Sequence, residues 1–258
     1  MSYILIDAGN SCLKICALAH LSEDEISYDI LDYNDLYEQL YSYLSDCILS
    51  QVLVCNVNNQ VVFNTISDAV YALWNIDVKL VSTEQNKYGI TTRYNNPRTL
   101  GTDRWLAMIA AKNEFDSNLC VIDCGTAVTI DVLTKEGMHV GGLITPGLRT
   151  ARNSLGLHTN NLPTIVNSDK KINNQSSLLA INTEDAILGG TLYQLSAYIE
   201  LIVSEIKQEF GDNTNCIITG GDAMQIHALS NHHFYYRDGL VLEGLKFVAR
   251  DLFDKAYT

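Results

Sequence analysis

The chain has 258 residues, 47% of them hydrophobic, which allows one large domain or two units of roughly 100–150 residues. Acidic residues exceed basic ones by 30 to 17, and a formal charge of −13 repels phosphate backbones and anionic membranes, so neither nucleic acid nor membrane is an expected partner. Three prolines and no low-complexity tract leave no disordered spacer. Two closely packed units are expected, 1–115 and 116–258. A small anionic substrate stays compatible with the charge, because a few donors and a cation reverse the potential inside a cleft.

No apolar run reaches the ~18–20 residues of a bilayer span, and Met1–Leu5 lacks the basic-then-apolar pattern of a secretory signal. The seven cysteines (Cys12, Cys16, Cys47, Cys55, Cys120, Cys124 and Cys216) are odd in number, and several sit in apolar runs. They read as buried, reduced thiols of a cytoplasmic protein. Cys120 and Cys124 lack a nearby second pair to complete four zinc ligands.

Tyr3–Asp7 reads as a buried strand, Gly9 and Asn10 as a tight turn, and Leu13–Leu18 as a second strand. Val52–Val57 and Val78–Val81 are further strands, with Ala69–Trp74 in an intervening helix, a pattern of α/β layering. Asn95, Asn96 and Pro97 form a loop before Gly101; Thr102 is then a candidate N-cap for a helix starting at Asp103. A strand near Leu119 ends in Asp123-Cys124-Gly125-Thr126, which resembles Asp7-Ala8-Gly9-Asn10 and suggests an internal duplication. Gly141, Gly142, Pro146 and Gly147 mark a second loop, and the polar stretch Asn167–Ser177 is expected to be exposed. Glu184–Phe210 forms a long helix despite Gly189 and Gly190, Cys216–Thr219 a strand, and Leu240–Phe253 a late amphipathic helix.

Three glycine-rich turns follow apolar strands, at Asp7–Asn10, Asp123–Thr126 and Thr219–Ala223. Such turns let backbone amides curve around phosphate oxygens while carboxylates orient magnesium or its waters. Neither a Gly-x-x-x-x-Gly-Lys-Ser/Thr run nor a Gly-x-Gly-x-x-Gly fingerprint is present, so an ATP site must use separated turns. Asp7 is the candidate for indirect magnesium coordination, with Asn10 and Ser11 near phosphate; Lys14 either compensates phosphate charge or points outward. Thr126 is a candidate phosphate contact, and Asp131 either supports the site or terminates an exposed strand. Asp103, at a helix start, can accept the proton of a substrate hydroxyl, and Arg104 can anchor a substrate carboxylate. A helix-capping acid beside a surface arginine is the alternative.

The chain resembles the type III pantothenate kinases, the Bvg accessory factor family. The resemblance rests on Asp7-Ala8-Gly9-Asn10-Ser11-Cys12-Leu13-Lys14, Gly101-Thr102-Asp103-Arg104, Asp123-Cys124-Gly125-Thr126-Ala127, Gly141-Gly142-Leu143-Ile144-Thr145-Pro146-Gly147 and Thr219-Gly220-Gly221-Asp222-Ala223. It implies the α/β fold of the acetate-and-sugar-kinase, heat-shock-protein and actin superfamily, with two ribonuclease-H-like domains around a nucleotide cleft. It implies ATP-dependent phosphorylation of pantothenate to 4′-phosphopantothenate, the first step toward coenzyme A, with Mg2+. By the same resemblance Asp7–Lys14 binds phosphate, Asp103 is the proton acceptor, and Tyr94 and Gly101–Arg104 contact pantothenate. Asp123 binds a monovalent cation, K+ or NH4+, Thr126 contacts ATP, and Thr183 contacts substrate near the boundary of a homodimer. Ser11 replaces the frequent threonine and keeps the hydroxyl.

The six histidines form no metal motif, and surface or supporting roles suit them better; Tyr33, Tyr37, Tyr41 and Tyr43 read as packing or interface residues. The alternatives are a related small-alcohol or sugar kinase, a non-catalytic ATP-binding regulatory protein, and a structural actin-like protein.

Overall fold

The computed structural model describes residues 2–23, 25–159, 162–163, 165 and 179–253; Asn167–Ser177 lies outside them. Packing divides the chain into two compact units: Met1–Asp116 with Glu136–Gly141 and Gly239–Thr258, and Ser117–Lys135 with Gly142–Asp238. The first passage, at Asp116, is thus followed by two returns that a contiguous 116–258 domain does not include.

In the first unit β1 (Ser2–Ala8) pairs antiparallel with β2 (Leu13–Leu18), which pairs antiparallel with β3 (Asp29–Leu31). After α1 (Leu36–Ser45), β4 (Leu49–Asn56) joins β1 in parallel, and after α2 (Gln60–Trp74) β5 (Lys79–Leu80) joins β4 in parallel. The sheet order is therefore β3-β2-β1-β4-β5. Period-two alternation sends Ile4, Ile6, Ala8, Leu13, Ile15, Val52 and Val54 to one face, where Leu40 and Leu44 of α1 and Ile66 and Val70 of α2 cover them. A short ribbon follows, β6 (Asn86–Lys87) and β7 (Ile90–Thr92), then α3 (Thr102–Glu114).

The second unit opens with β8 (Leu119–Cys124), antiparallel to β9 (Ala127–Leu133). β10 (Met138–Pro146) comes next, its residues up to Gly141 in the first unit and those from Gly142 in the second, then α4 (Leu148–His158) and the long α5 (Thr183–Phe210). β11 (Asn215–Thr219) is parallel to β8, and after α6 (Ala223–His227) β12 (Tyr235–Tyr236) is parallel to β11. The order β12-β11-β8-β9-β10 repeats that of the first unit read from the other edge, with β8 in the place of β1. The internal duplication suggested by one matched turn is therefore carried by both sheets. Each has the ribonuclease-H-like order that the resemblance implied.

The last helix, α7 (Leu240–Phe253), returns to the first unit because its apolar stripe fits the second face of that sheet. The Phe253 ring stacks on Tyr3 with centroids 5.8 Å apart, and burial pushes the Cys16 thiol of the same face up to about 12, with Glu243 and Lys246 of α7 in its field. α3 shares this face and crosses α7 so closely that a Cβ on Gly244 would lie 2.2 Å from the Leu106 carbonyl oxygen. Covered by β4 on one side and α7 on the other, α3 buries Trp105 to Ile109 without interruption.

Four local readings are corrected. Gly141–Pro146 belongs to strand β10, not a loop. Asp131 is 2% exposed inside β9, so it does not end an exposed strand. α3 starts at Thr102 with Gly101 as its cap and no side-chain capping bond, because Gly101 itself has the non-helical backbone that a cap requires. Finally, α5 contains an 18-residue window of mean hydropathy 1.4, a run long and apolar enough to cross a membrane by composition; 44% of that window is buried against the protein.

Candidate active site

Asp7 is buried at the end of β1 and stands opposite Lys14 on β2 and Cys55 on β4, so the three side chains share the sheet face that α3 and α7 cover. The turn beyond it is fixed from behind. The Gly9 carbonyl accepts hydrogen bonds from the Tyr33 hydroxyl and from Asn58 Nδ2 at 2.9 Å, while Tyr33 also donates to the Cys12 carbonyl at 3.1 Å. Burial pushes the Tyr33 hydroxyl up to about 12, so it remains a donor at neutral pH. Tyr33 is thus an anchor of the turn, a role that packing alone did not suggest. Asn10 at the tip is exposed, and Ser11 is partly so. The Lys14 ammonium lies 5.0 Å from the centre of the Tyr28 ring.

Asp103, 96 residues from Asp7 in sequence, lies in the first turn of α3, which packs against β4. The Cys55 thiol is fully buried, and its pKa is raised first by burial and then by the fields of both Asp7 and Asp103. Asp7 on the neighbouring strand and Asp103 on α3, which packs against β4, both act on this thiol. The Asp103 Oδ1 accepts the Arg104 amide at 2.8 Å, which holds the carboxylate back against the helix start. A Cβ on Gly101 would lie 2.5 Å from that oxygen, so glycine is what leaves room for it. Thr83 donates to the Leu100 carbonyl at 2.9 Å and fixes the approach to the helix.

Beside Asp103, Arg104 is buried, so it is not the surface arginine of the capping alternative. Its Nη1 donates to the Tyr94 hydroxyl at 3.3 Å. The Tyr94 ring stacks on buried His139, and the Tyr94 amide donates to Thr92 Oγ1 at 3.2 Å. Tyr94, Gly101, Thr102, Asp103 and Arg104 form one neighbourhood with Thr92 and His139, which sequence reasoning missed. A single histidine in a strand carries no periodic signal.

In the second unit Asp123 holds the position of Asp7, next to last in the central strand, and pairs with Thr219 on β11. Gly220, at φ +96°, lies so close that a Cβ would be 2.6 Å from Asp123 Oδ1, and the Asp222 amide donates to the Cys124 carbonyl at 3.1 Å. The Thr126 carbonyl accepts the Gly147 amide at 3.0 Å and the Thr150 hydroxyl at 2.6 Å, which brings the start of α4 to this turn. Arg152 on α4 is buried, donates to Thr191 Oγ1 at 3.1 Å, and has its pKa lowered by burial against the opposing field of Asp222. Arg152 and Asp222 were not singled out from sequence. Among the described residues no group of three or more His, Cys, Asp or Glu side chains could hold a metal; Cys120 instead faces Cys216 across β8 and β11. Thr183, at the start of α5, is exposed and lines a cavity of about 300 Å³ with Leu155, Leu162, Ile187 and Gly190.

Residues 3–205 match the model of the family described as type III pantothenate kinase. The chain belongs to the type III pantothenate kinase family. The type III pantothenate kinase of Nitrosococcus oceani is 35% identical over 208 residues, 79% of this chain and 76% of that one. A conserved Campylobacter jejuni protein described as a Baf family transcriptional activator superposes with TM-score 0.57 at 22% identity, covering 96% of this chain and 98% of that one. The activator of the 2-hydroxyisocaproyl-CoA dehydratase from Clostridium difficile, with bound ADPNP, gives 0.53 at 15% identity, covering 100% and 96%. Such structural likenesses show a shared α/β fold. Family membership makes the activity ATP-dependent phosphorylation of pantothenate, which belongs to coenzyme A biosynthesis.

Proposed function

We propose that Asp103 is the general base of this reaction, taking the proton of the pantothenate hydroxyl as it attacks the γ-phosphorus of ATP. What supports it is the place of Asp103 in the first turn of α3, which packs against β4, the strand paired with Asp7. In-line transfer needs little covalent help from the protein, so position and charge supply most of the acceleration. Tyr94 and Gly101–Thr102 line the acceptor, and Arg104 takes its carboxylate through paired donors. The amides and side chains from Asp7 through Lys14 receive phosphate oxygens, and Thr126 is a further ATP contact.

The donor set suits hard cations. Asp7 is a buried carboxylate at the end of a phosphate turn, the kind of group that orients Mg2+ through its waters. Asp123, a carboxylate approached closely by the backbone of Gly220, is the residue that would hold K+ or NH4+. A magnesium ion held at Asp7 would supply positive charge against the phosphate oxygens. The exposed Ile181, 96% accessible, and Leu179, 76%, precede Thr183, which fits a homodimer whose boundary lies at the start of α5. The cytoplasm is the compartment for such an enzyme.

A transfer assay with ATP, Mg2+ and pantothenate, run with K+, NH4+ or neither, tests this reading. It expects one phosphate added to pantothenate by mass, stimulation by the monovalent cation, and loss of that stimulation in Asp123→Asn. Phosphorylation of another small alcohol in preference to pantothenate, or cation dependence unchanged in Asp123→Asn, would contradict it.

A further inference from the structure

Thr92 and His139 are partners in the parallel register of β7 and β10, and both are buried. The His139 Nδ1 lies 3.2 Å from Thr92 Oγ1, a hydrogen bond that either tautomer of the ring can make. The same Thr92 oxygen accepts the Tyr94 amide at 3.2 Å, so the backbone of Tyr94 is tied to the pair. The ring of Tyr94 is tied as well: it lies nearly parallel to the imidazole, with centroids 5.7 Å apart and planes at 19°. What remains of Tyr94 is its hydroxyl, and that accepts the Arg104 guanidinium at 3.3 Å.

We infer that His139 is a positioning residue for the acceptor substrate: by holding the Tyr94 ring it fixes the Arg104 guanidinium that receives the substrate carboxylate. The inference rests on the assignment of Tyr94 and Arg104 as pantothenate contacts and extends it to a residue outside the binding motifs. A guanidinium fork meets a carboxylate in one orientation only, so its freedom must be removed before the ligand arrives. The chain of contacts from Thr92 through His139 and Tyr94 lends the order of a strand pair to the first turn of α3. His139 itself touches neither reacting atom.

The test is a double-substitution cycle with His139→Ala and Tyr94→Ala. His139→Ala should raise KM for pantothenate by about tenfold, leaving kcat and KM for ATP within about twofold of the parent. In the Tyr94→Ala background the same change should alter KM for pantothenate by less than about twofold, because the group through which it acts is gone. His139→Phe, which keeps a ring to stack and guards against a folding defect, should restore KM to within about threefold. A tenfold rise that persists in the Tyr94→Ala background, or an equal rise in both KM values, overturns the inference. A crystal structure of the His139→Ala or His139→Phe protein reads the geometry without activity. A displaced Tyr94 ring and a broken Tyr94–Arg104 contact in His139→Ala support the inference, and an unmoved pair refutes it. If the parent protein were inert toward pantothenate, only the substrate assignment would fall, and the crystal structure would still decide the positioning role.

Discussion

At Gly101 the space for one methyl group decides where the Asp103 carboxylate, the proposed base, sits. A Cβ there would meet the tip of Asp103 at 2.5 Å, an atom that a side-chain rotation can move aside, so the fold tolerates the intrusion and the base does not. Gly101→Ala should therefore lower kcat by about 10- to 100-fold, since small misplacements of a reacting group carry such costs. The thermal midpoint should stay close to that of the parent. A parallel fall in both, or an unchanged kcat, would show that the glycine serves the backbone instead. Asp7, Asp103 and Asp123 were legible in sequence because each joins an acid to a glycine at the end of an apolar strand or the start of a helix. The capping residue was not legible: Gly101 and Thr102 both belong to the residue types that cap helices, and only the backbone angles choose between them. His139 and Arg152 were missed because burial of a polar side chain depends on partners that arrive from distant elements.

Among the elements, the long helix and the first strand pair followed from periodicity, and α7 begins and ends where its apolar spacing placed it. β10 did not, because Gly141, Gly142 and Pro146 have turn-forming chemistry and low strand propensity, yet β10 is a strand between β9 and β7 in the sheet. Nor could sequence assign α7 to the first unit. That assignment depends on the sheet face bearing Tyr3 and Cys16, which remains open until α3 and α7 cover it. Their crossing is the support beneath Asp103, and it depends on Gly244. Gly244→Ala would press a methyl group to 2.2 Å from the Leu106 carbonyl, a backbone atom that cannot swing away. Chemical denaturation should show a loss of about 1–3 kcal/mol, the usual range for overpacking a filled core. A stability equal to that of the parent would mean that the two helices are free to separate.

For the whole molecule, one sheet design is used twice, and the duplication explains why the chemistry is spread so widely along the chain. Each copy ends its central strand in an acid followed by a tight turn, Asp7 in the first and Asp123 in the second. A net charge of −13 is compatible with a polyphosphate substrate only if the local donors are fixed in place, as the Gly9 turn is by Tyr33 and Asn58. The central claim is that Asp103 moves the proton, and turnover of an Asp103→Asn protein measures it most directly. With ATP, Mg2+, K+ and pantothenate saturating, the formation of 4′-phosphopantothenate should slow by about 10²- to 10⁴-fold, the range for loss of a general base. The thermal midpoint and ATP affinity should hold. Turnover within a few-fold of the parent protein would contradict the account.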